Sequence, residues 1–204
     1  NVLKGKKATM RKPSRRTEYA EQTRDALLVS ARKSFVEKGF QATSLDDVAE
    51  SERLTKGALY HHFKTKKALF SSVFDQVLKE AVVNIMSVLA GQDDPVKRTH
   101  IAIDTFLQIA LNPDYQHIIL KEGPLALGWQ TWREKEQATS IQLIKALLVE
   151  MKTANQVKTD SIDLAACTIM GALTEMVYYI NNSEDQVKAA QESKRILLDI
   201  VATL

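Results

Sequence analysis

The sequence predicts an all-α protein in two parts: a small basic three-helix domain over residues 10–65 and a larger helical domain over residues 66–204. Three observations carry this. Apolar residues recur at three- and four-residue steps almost throughout, and strand-like alternation is missing. The 7 glycines and 4 prolines are few, and several sit where the periodic stretches end. The charge is uneven. Residues 1–67 hold 16 Lys/Arg against 8 Asp/Glu and residues 68–204 hold 12 against 17, so a net charge of +3 hides a basic first third. That imbalance suits a polyanion-binding module joined to an ordinary globular body. Residues 1–9 precede Met10 and are read as a leader outside the functional argument. No secretory signal or spanning apolar run is recognisable, and Cys167 has no second cysteine to pair with, so a cytoplasmic protein is expected.

From Thr17 to Lys38, Leu27, Leu28, Ala31, Phe35 and Val36 share one face, and Gly39 follows as a helix stop. Thr43 and Ser44 then precede Asp46 and Asp47, a start signal for a helix of about two turns carrying Leu45, Val48 and Ala49. Thr55 is placed to cap a third helix, KGALYHHF, and Thr65 to cap a fourth that begins at Lys66. Only Glu52 to Leu54 separate the second helix from the third. Two short helices joined so tightly form a helix-turn-helix, in which the second is presented to the DNA major groove. The third helix is therefore the expected reading head. It begins with the small or basic residues Thr55, Lys56, Gly57 and Ala58, and its bulk arrives at Tyr60, His61, His62 and Phe63.

The run T-S-L-x-D-V-A-x-x-x-x-L-T-K-G-A-L-Y-H-H-F-x-T-K-x-A-L-F, residues 43–70, resembles the DNA-binding domain of the TetR family of bacterial transcriptional regulators. Arg24, Ala31, Phe35, Gly39 and Phe40 extend the likeness over the first helix. The resemblance implies that Thr43 or Ser44, Thr55, Lys56, Gly57, Tyr60, His61 and Lys66 face DNA, with Thr43, Tyr60 and Lys66 on phosphates and Lys56 and His61 on base edges. Arg53 stands where a glycine is usual, with a backbone cost of about 1 kcal/mol if held at positive φ, and reaches either kind of contact. Ala58 replaces a common hydroxyl residue, and Lys67 a common acid. Arg11, Lys12, Arg15 and Arg16 form a basic arm suited to the minor groove or phosphates.

Beyond the head, Lys66 to about Leu89 reads as one long helix, a lever into the second domain. Further helices are expected near 95–111 and 114–122, then, after a break at Gly123-Pro124, a long one to about Met151, and two more near 161–181 and 184–201. The 161–181 helix is apolar on nearly all sides and needs two partners, its own body and another surface. The resemblance implies that the last two helices pair with their copies, giving a homodimer whose two-fold axis matches a palindromic double-stranded DNA operator. It also implies a small, largely apolar effector between the middle helices, for which Phe106, His117, Trp129, Trp132, Glu175, Met176 and Tyr179 are the candidate lining residues, with Tyr178 beside them. Asp104 and Glu175 lie in apolar stretches, where an unpaired carboxylate is costly, and are expected to be paired or to face solvent. No nucleophile elbow, HExxH, phosphate loop or paired Cys/His set occurs, so neither catalysis, a metal nor a cofactor is expected. The whole reads as a ligand-released repressor, with an activator or a ligand-independent regulator of the same fold as the alternative.

Overall fold

The structure, a computed structural model, describes residues 15–204; Arg11 and Lys12 of the basic arm lie outside the described residues. The helices in chain order are α1 (Arg15–Ala42), α2 (Leu45–Ser51), α3 (Lys56–His62), α4 (Lys66–Leu89), α5 (Pro95–Ala110), a π-helical segment (Tyr115–Glu122), α6 (Gly123–Leu127), α7 (Trp129–Ala138), α8 (Ser140–Thr153), α9 (Ile162–Asn181) and α10 (Gln186–Thr203). Among the described residues there is no strand, and no helix is long and apolar enough to cross a membrane.

The head begins at α1, which kinks at Gly39 (φ 80, ψ 169), a backbone geometry that glycine adopts without penalty. The kink folds Phe40 back against Phe70, with ring centroids 5.3 Å apart, while Phe35 meets Phe70 edge-on at 5.0 Å. Leu27, Ala31, Phe35, Val48, Leu59, Leu69 and Phe70 are all fully buried there. The same core runs on without a break through Val73, Phe74 and Val77 to Tyr115, Ile118, Ile119, Leu127 and Trp132. The first three helices therefore share a core with the π-helical segment, α6 and α7. A second core joins α5, α8, α9 and α10 through Ile103, Leu107, Ile141, Leu148, Ile169, Met170 and Leu197. Ile85, Leu89, Ala102 and Leu147 form a third, smaller one, and Phe106 packs against all three.

Polar ties cross between the parts. The Arg32 guanidinium of α1 donates to Glu80 of α4 and to Asp114, each at 2.6 Å. Glu122, the last residue of the π-helical segment, accepts from the backbone N–H of Phe40 at 3.1 Å.

Two expectations about helices need correction. Gly123-Pro124 is no break, since α6 starts at Gly123 directly after the π-helical segment, and the single long helix expected from there to Met151 is three. Gly128 (φ 86) breaks it by entering the left-handed region, and the β-branched Thr139 (φ −127, ψ −79) leaves helical geometry for one residue. The segment expected as an ordinary short helix over 114–122 is instead wound as a π-helix. Pro124 has no N–H to offer the Leu120 carbonyl, so one α-helical hydrogen bond cannot form at this end of the segment.

Candidate nucleic-acid interface and buried cavity

The helix-turn-helix is held by its caps. Ser44 accepts from the Asp47 N–H at 3.0 Å, Thr55 from Ala58 at 3.2 Å and Thr65 from Ala68 at 3.0 Å, so each predicted cap starts its helix. The Ser30 and Ser51 hydroxyls are hydrogen bonded to each other, pinning α2 to α1. In the turn, the Arg53 and Leu54 N–H groups return to Glu50 and Ala49 at 2.9 Å each, which closes α2 and holds Arg53 at φ 54. The arginine thus holds a left-handed backbone at the turn position where the resemblance makes a glycine usual.

Arg53, Thr55, Lys56, Gly57, Tyr60 and His61 are all exposed on one connected surface made by the turn and α3, with Ala58 half-buried among them. Beneath them Leu59 and Phe63 anchor α3 in the core. A Cβ built on Gly57 has only the Thr55 Oγ1 within reach, at 3.9 Å, so open space lies over this end of the helix. Lys56 is paired with Asp46 in the first turn of α2, which ties α3 to α2 and raises the lysine's pKa. The Lys66 ammonium donates to the Gln41 carbonyl at 3.0 Å and lies 4.7 Å over the Phe40 ring. It thus ties α4 to the end of α1 while staying partly exposed. Lys67 is drawn the other way, to the Leu127 carbonyl at 3.0 Å. Burial, and then the nearby His61 and Arg24 charges, lower the pKa of His62.

Thr43 is turned inward. It is 2 % exposed, and its hydroxyl donates to the carbonyls of Gly39 at 2.8 Å and Ser34 at 3.1 Å, so its role is to lock the α1 kink rather than to meet a phosphate. Ser44, half-buried, is left as the hydroxyl at that edge of the surface.

In the larger domain a cavity of about 70 Å³ lies between α4, α5, α8 and α9. Its wall includes Val82, Ile85, Ile103, Phe106, Leu147 and Met170, and the hydroxyls on it belong to Thr99, Tyr115 and Ser140. The Thr99 hydroxyl is already bonded to the Pro95 carbonyl at 3.0 Å. Ala81 and Tyr115 separate this cavity from a polar cleft of about 510 Å³ that also holds Arg32, Glu80, Asn84 and Asp104.

Of the seven residues expected to line an effector site, Phe106 alone is on the cavity wall. Trp132 is buried in the first core with its indole N–H on the Ile119 carbonyl at 3.0 Å, and Trp129 is 66 % exposed with its ring 4.9 Å from that of Trp132. His117 is half-buried on the π-helical segment. Glu175, Met176 and Tyr179 lie on a shallow groove between α9 and α10, facing outward. The cavity wall is built mainly by aliphatic residues of α4, α5, α8 and α9, with Phe106 and Tyr115 its aromatic members. Asp104 is paired with Lys194 at 2.6 Å and Glu175 is exposed, as the sequence led us to expect.

Glu136 was missed altogether. It is fully buried on α7, neither carboxylate oxygen has a hydrogen-bond partner, and burial raises its pKa to about 7, with Arg133 opposing the rise only in part. Its charge, after burial itself, helps push the Tyr115 phenol pKa upward. The available signal was spacing: Glu136 follows the buried Trp132 by four residues and so shares its face.

The helix-turn-helix surface and the cavity-bearing domain have counterparts among known proteins. Residues 27–73 match the family model for bacterial regulatory proteins of the tetR family, and residues 96–204 match that for the Tetracyclin repressor-like C-terminal domain. The Transposon Tn10 TetC protein of Escherichia coli is 25% identical over 178 residues, covering 86% of this chain and 89% of that one. The transcriptional activator FasR of Mycolicibacterium smegmatis is 28% identical over 86 residues, 42% of this chain and 39% of its own. The crystal structure of a TetR-family transcriptional regulator from Pectobacterium atrosepticum superposes with a TM-score of 0.75 at 28% identity, covering 91% of this chain and 94% of that one. On the head, the body and the order in which they are joined, the chain belongs to the TetR family and is a DNA-binding transcriptional regulator, not an enzyme.

Proposed function

We propose that the protein is a homodimeric repressor that holds a palindromic operator and is released from it by a small, largely apolar effector. The observation that carries this reading is the course of α4. Its first residues, from Lys66, pack under the reading head, and its later residues Ala81, Val82 and Ile85 form part of the cavity wall. A helix of 24 residues spans about 36 Å, so a small shift at the cavity end is carried to the DNA end. The π-helical segment gives a parallel route, with Tyr115 on the cavity and Glu122 on the Phe40 N–H. An effector acts only by its differential affinity for the two states, here those in which the two reading helices do or do not match successive major grooves about 34 Å apart.

Dimerisation is supported by the outward faces of α9 and α10. Leu164, Tyr178, Tyr179, Val187 and Ile196 are all exposed large apolar residues, an apolar surface that a second copy of the chain would cover. Ala165 and Ala166 face the chain's own core, whereas Gly171 is exposed with open space above it. The surface proposed to meet DNA is Ser44, Arg53, Thr55, Lys56, Gly57, Tyr60 and His61, with Lys66 at its edge. Activation is the alternative, in keeping with the name of the relative FasR. The two readings separate in a reporter strain: deletion of the gene raises transcription from the bound promoter under repression and lowers it under activation.

A further inference from the structure

The cavity offers an occupant almost no polar partner, yet among the described residues Glu136, a buried carboxylate without a hydrogen bond, stands one helical turn before the wall residue Ser140. Glu136 is close enough to Tyr115 for its charge to be felt by the phenol, and Ser140, four residues further on, is on the wall with Tyr115. A buried carboxylate with both oxygens unbonded is rare in folded proteins and costly to keep. The nearby cation does not satisfy it: Arg133 makes no hydrogen bond to Glu136 and places its guanidinium 5.9 Å over the Trp132 ring. On the far side of Tyr115, Arg32 is already held by Glu80 and Asp114.

We propose that Glu136 is the counter-ion for an apolar amine, an effector whose hydrocarbon body fills the cavity and whose protonated nitrogen reaches the Glu136 carboxylate past Tyr115. This rests on the effector-responsive reading above and names the chemistry of the effector. Closure from water makes a charge pair at this position stronger than at a surface. An ammonium also offers donors to both Glu136 oxygens, which have no partner within the chain. A carboxylic acid of the same shape would bring a second negative charge against Glu136, and an alcohol would supply one donor without charge. At about 70 Å³ the cavity has room for roughly two waters' worth of volume, well below the ~300 Å³ at which ligand pockets begin. The wall must therefore move. Its thin part is Ala81 and Tyr115, and displacing the tyrosine joins the cavity to the polar cleft. Tyr115 is the first residue of the segment whose last, Glu122, holds the Phe40 N–H, so the amine's entry would be felt at the reading head.

The test uses three matched probes, 4-phenylbutylamine, 4-phenylbutan-1-ol and 4-phenylbutanoic acid, titrated into the full-length protein by calorimetry at pH 7.5. We expect the amine to bind about tenfold or more tightly than the alcohol, in keeping with a hydrogen bond to a charged group. In Glu136→Gln that preference should vanish while alcohol binding persists. An unchanged preference for the amine in Glu136→Gln, or tighter binding of the acid to wild type, overturns the role of Glu136 and leaves the cavity reading standing. No binding of any probe to wild type overturns both. Glu136→Met, of similar length, replaces the Gln variant if circular dichroism shows that the latter is not folded.

Discussion

Glu136→Gln should make stability less sensitive to pH. In the folded chain the Glu136 carboxyl has a pKa of about 7, raised by burial from an ordinary 4.5. The folded state therefore keeps a proton that the unfolded state loses between those values, and stability falls as pH rises through that window. At ~1.4 kcal/mol for each pH unit, the cost reaches about 3 kcal/mol once pH exceeds 7. The glutamine is neutral at every pH and close in shape. Near pH 4.5 the two proteins should be similarly stable, and at pH 8 the variant should be the more stable by about 2–3 kcal/mol, or roughly 5–10 °C for a chain of this size. Urea denaturation at a fixed protomer concentration, at several pH values between 4.5 and 8, measures this directly. Other titrating groups, His62 among them, act on both proteins, so the difference between the curves isolates Glu136. Parallel curves, or a variant less stable at pH 8, would refute the reasoning.

Four further outcomes are expected. Gly123→Ala would place a Cβ 2.9 Å from both the Phe74 and Trp132 rings and 3.1 Å from the Ile118 carbonyl, so thermal unfolding should show a loss of about 1–3 kcal/mol from overpacking. Arg53→Gly relieves a left-handed arginine and should raise stability by up to ~1 kcal/mol, while removing a charge from the surface proposed to meet DNA; a drop in stability would show that the arginine is held there by contacts the turn needs. Glu122→Ala leaves the Phe40 N–H without its acceptor, costs about 1 kcal/mol of stability, and should weaken the effector's influence on operator affinity more than operator affinity itself. Tyr178→Glu together with Leu164→Glu should shift sedimentation equilibrium toward monomer without loss of helical circular dichroism; an unchanged mass would place the dimer interface elsewhere.

The head was legible in the sequence because its signals are local. Ser44, Thr55 and Thr65 cap within three residues of themselves, Gly39 interrupts α1 where a stop is expected although the helix resumes to Ala42, and Leu59 and Phe63 are spaced by one helical turn. The body was legible as helices but not as a site. A cavity is a relation among α4, α5, α8 and α9, and an aliphatic wall carries no mark that separates it from ordinary core. Trp129 and Trp132 drew attention for their size, yet one is exposed and the other is bonded to the Ile119 carbonyl. Thr43 was misplaced for a related reason: its hydroxyl has local partners, Gly39 and Ser34, that become available only after the α1 kink forms. Glu136 sits in the charged run REKEQ, where a solvated face is the ordinary outcome, and only its step of four from Trp132 points inward.

The central claim is that the surface of α3 and its preceding turn, displayed twice on a dimer, reads a palindrome. Selection of bound sequences from a random double-stranded DNA pool tests it most directly, followed by equilibrium binding of the winning sequence to wild type, Tyr60→Ala and Lys56→Ala at two salt concentrations. The expected result is an inverted repeat with half-sites about 10 bp apart centre to centre, bound ~1–3 kcal/mol more weakly by Lys56→Ala and more weakly by Tyr60→Ala with an unchanged salt slope, since the phenol is neutral. A pool that yields no enriched sequence, or an operator bound equally well by all three proteins, would contradict it.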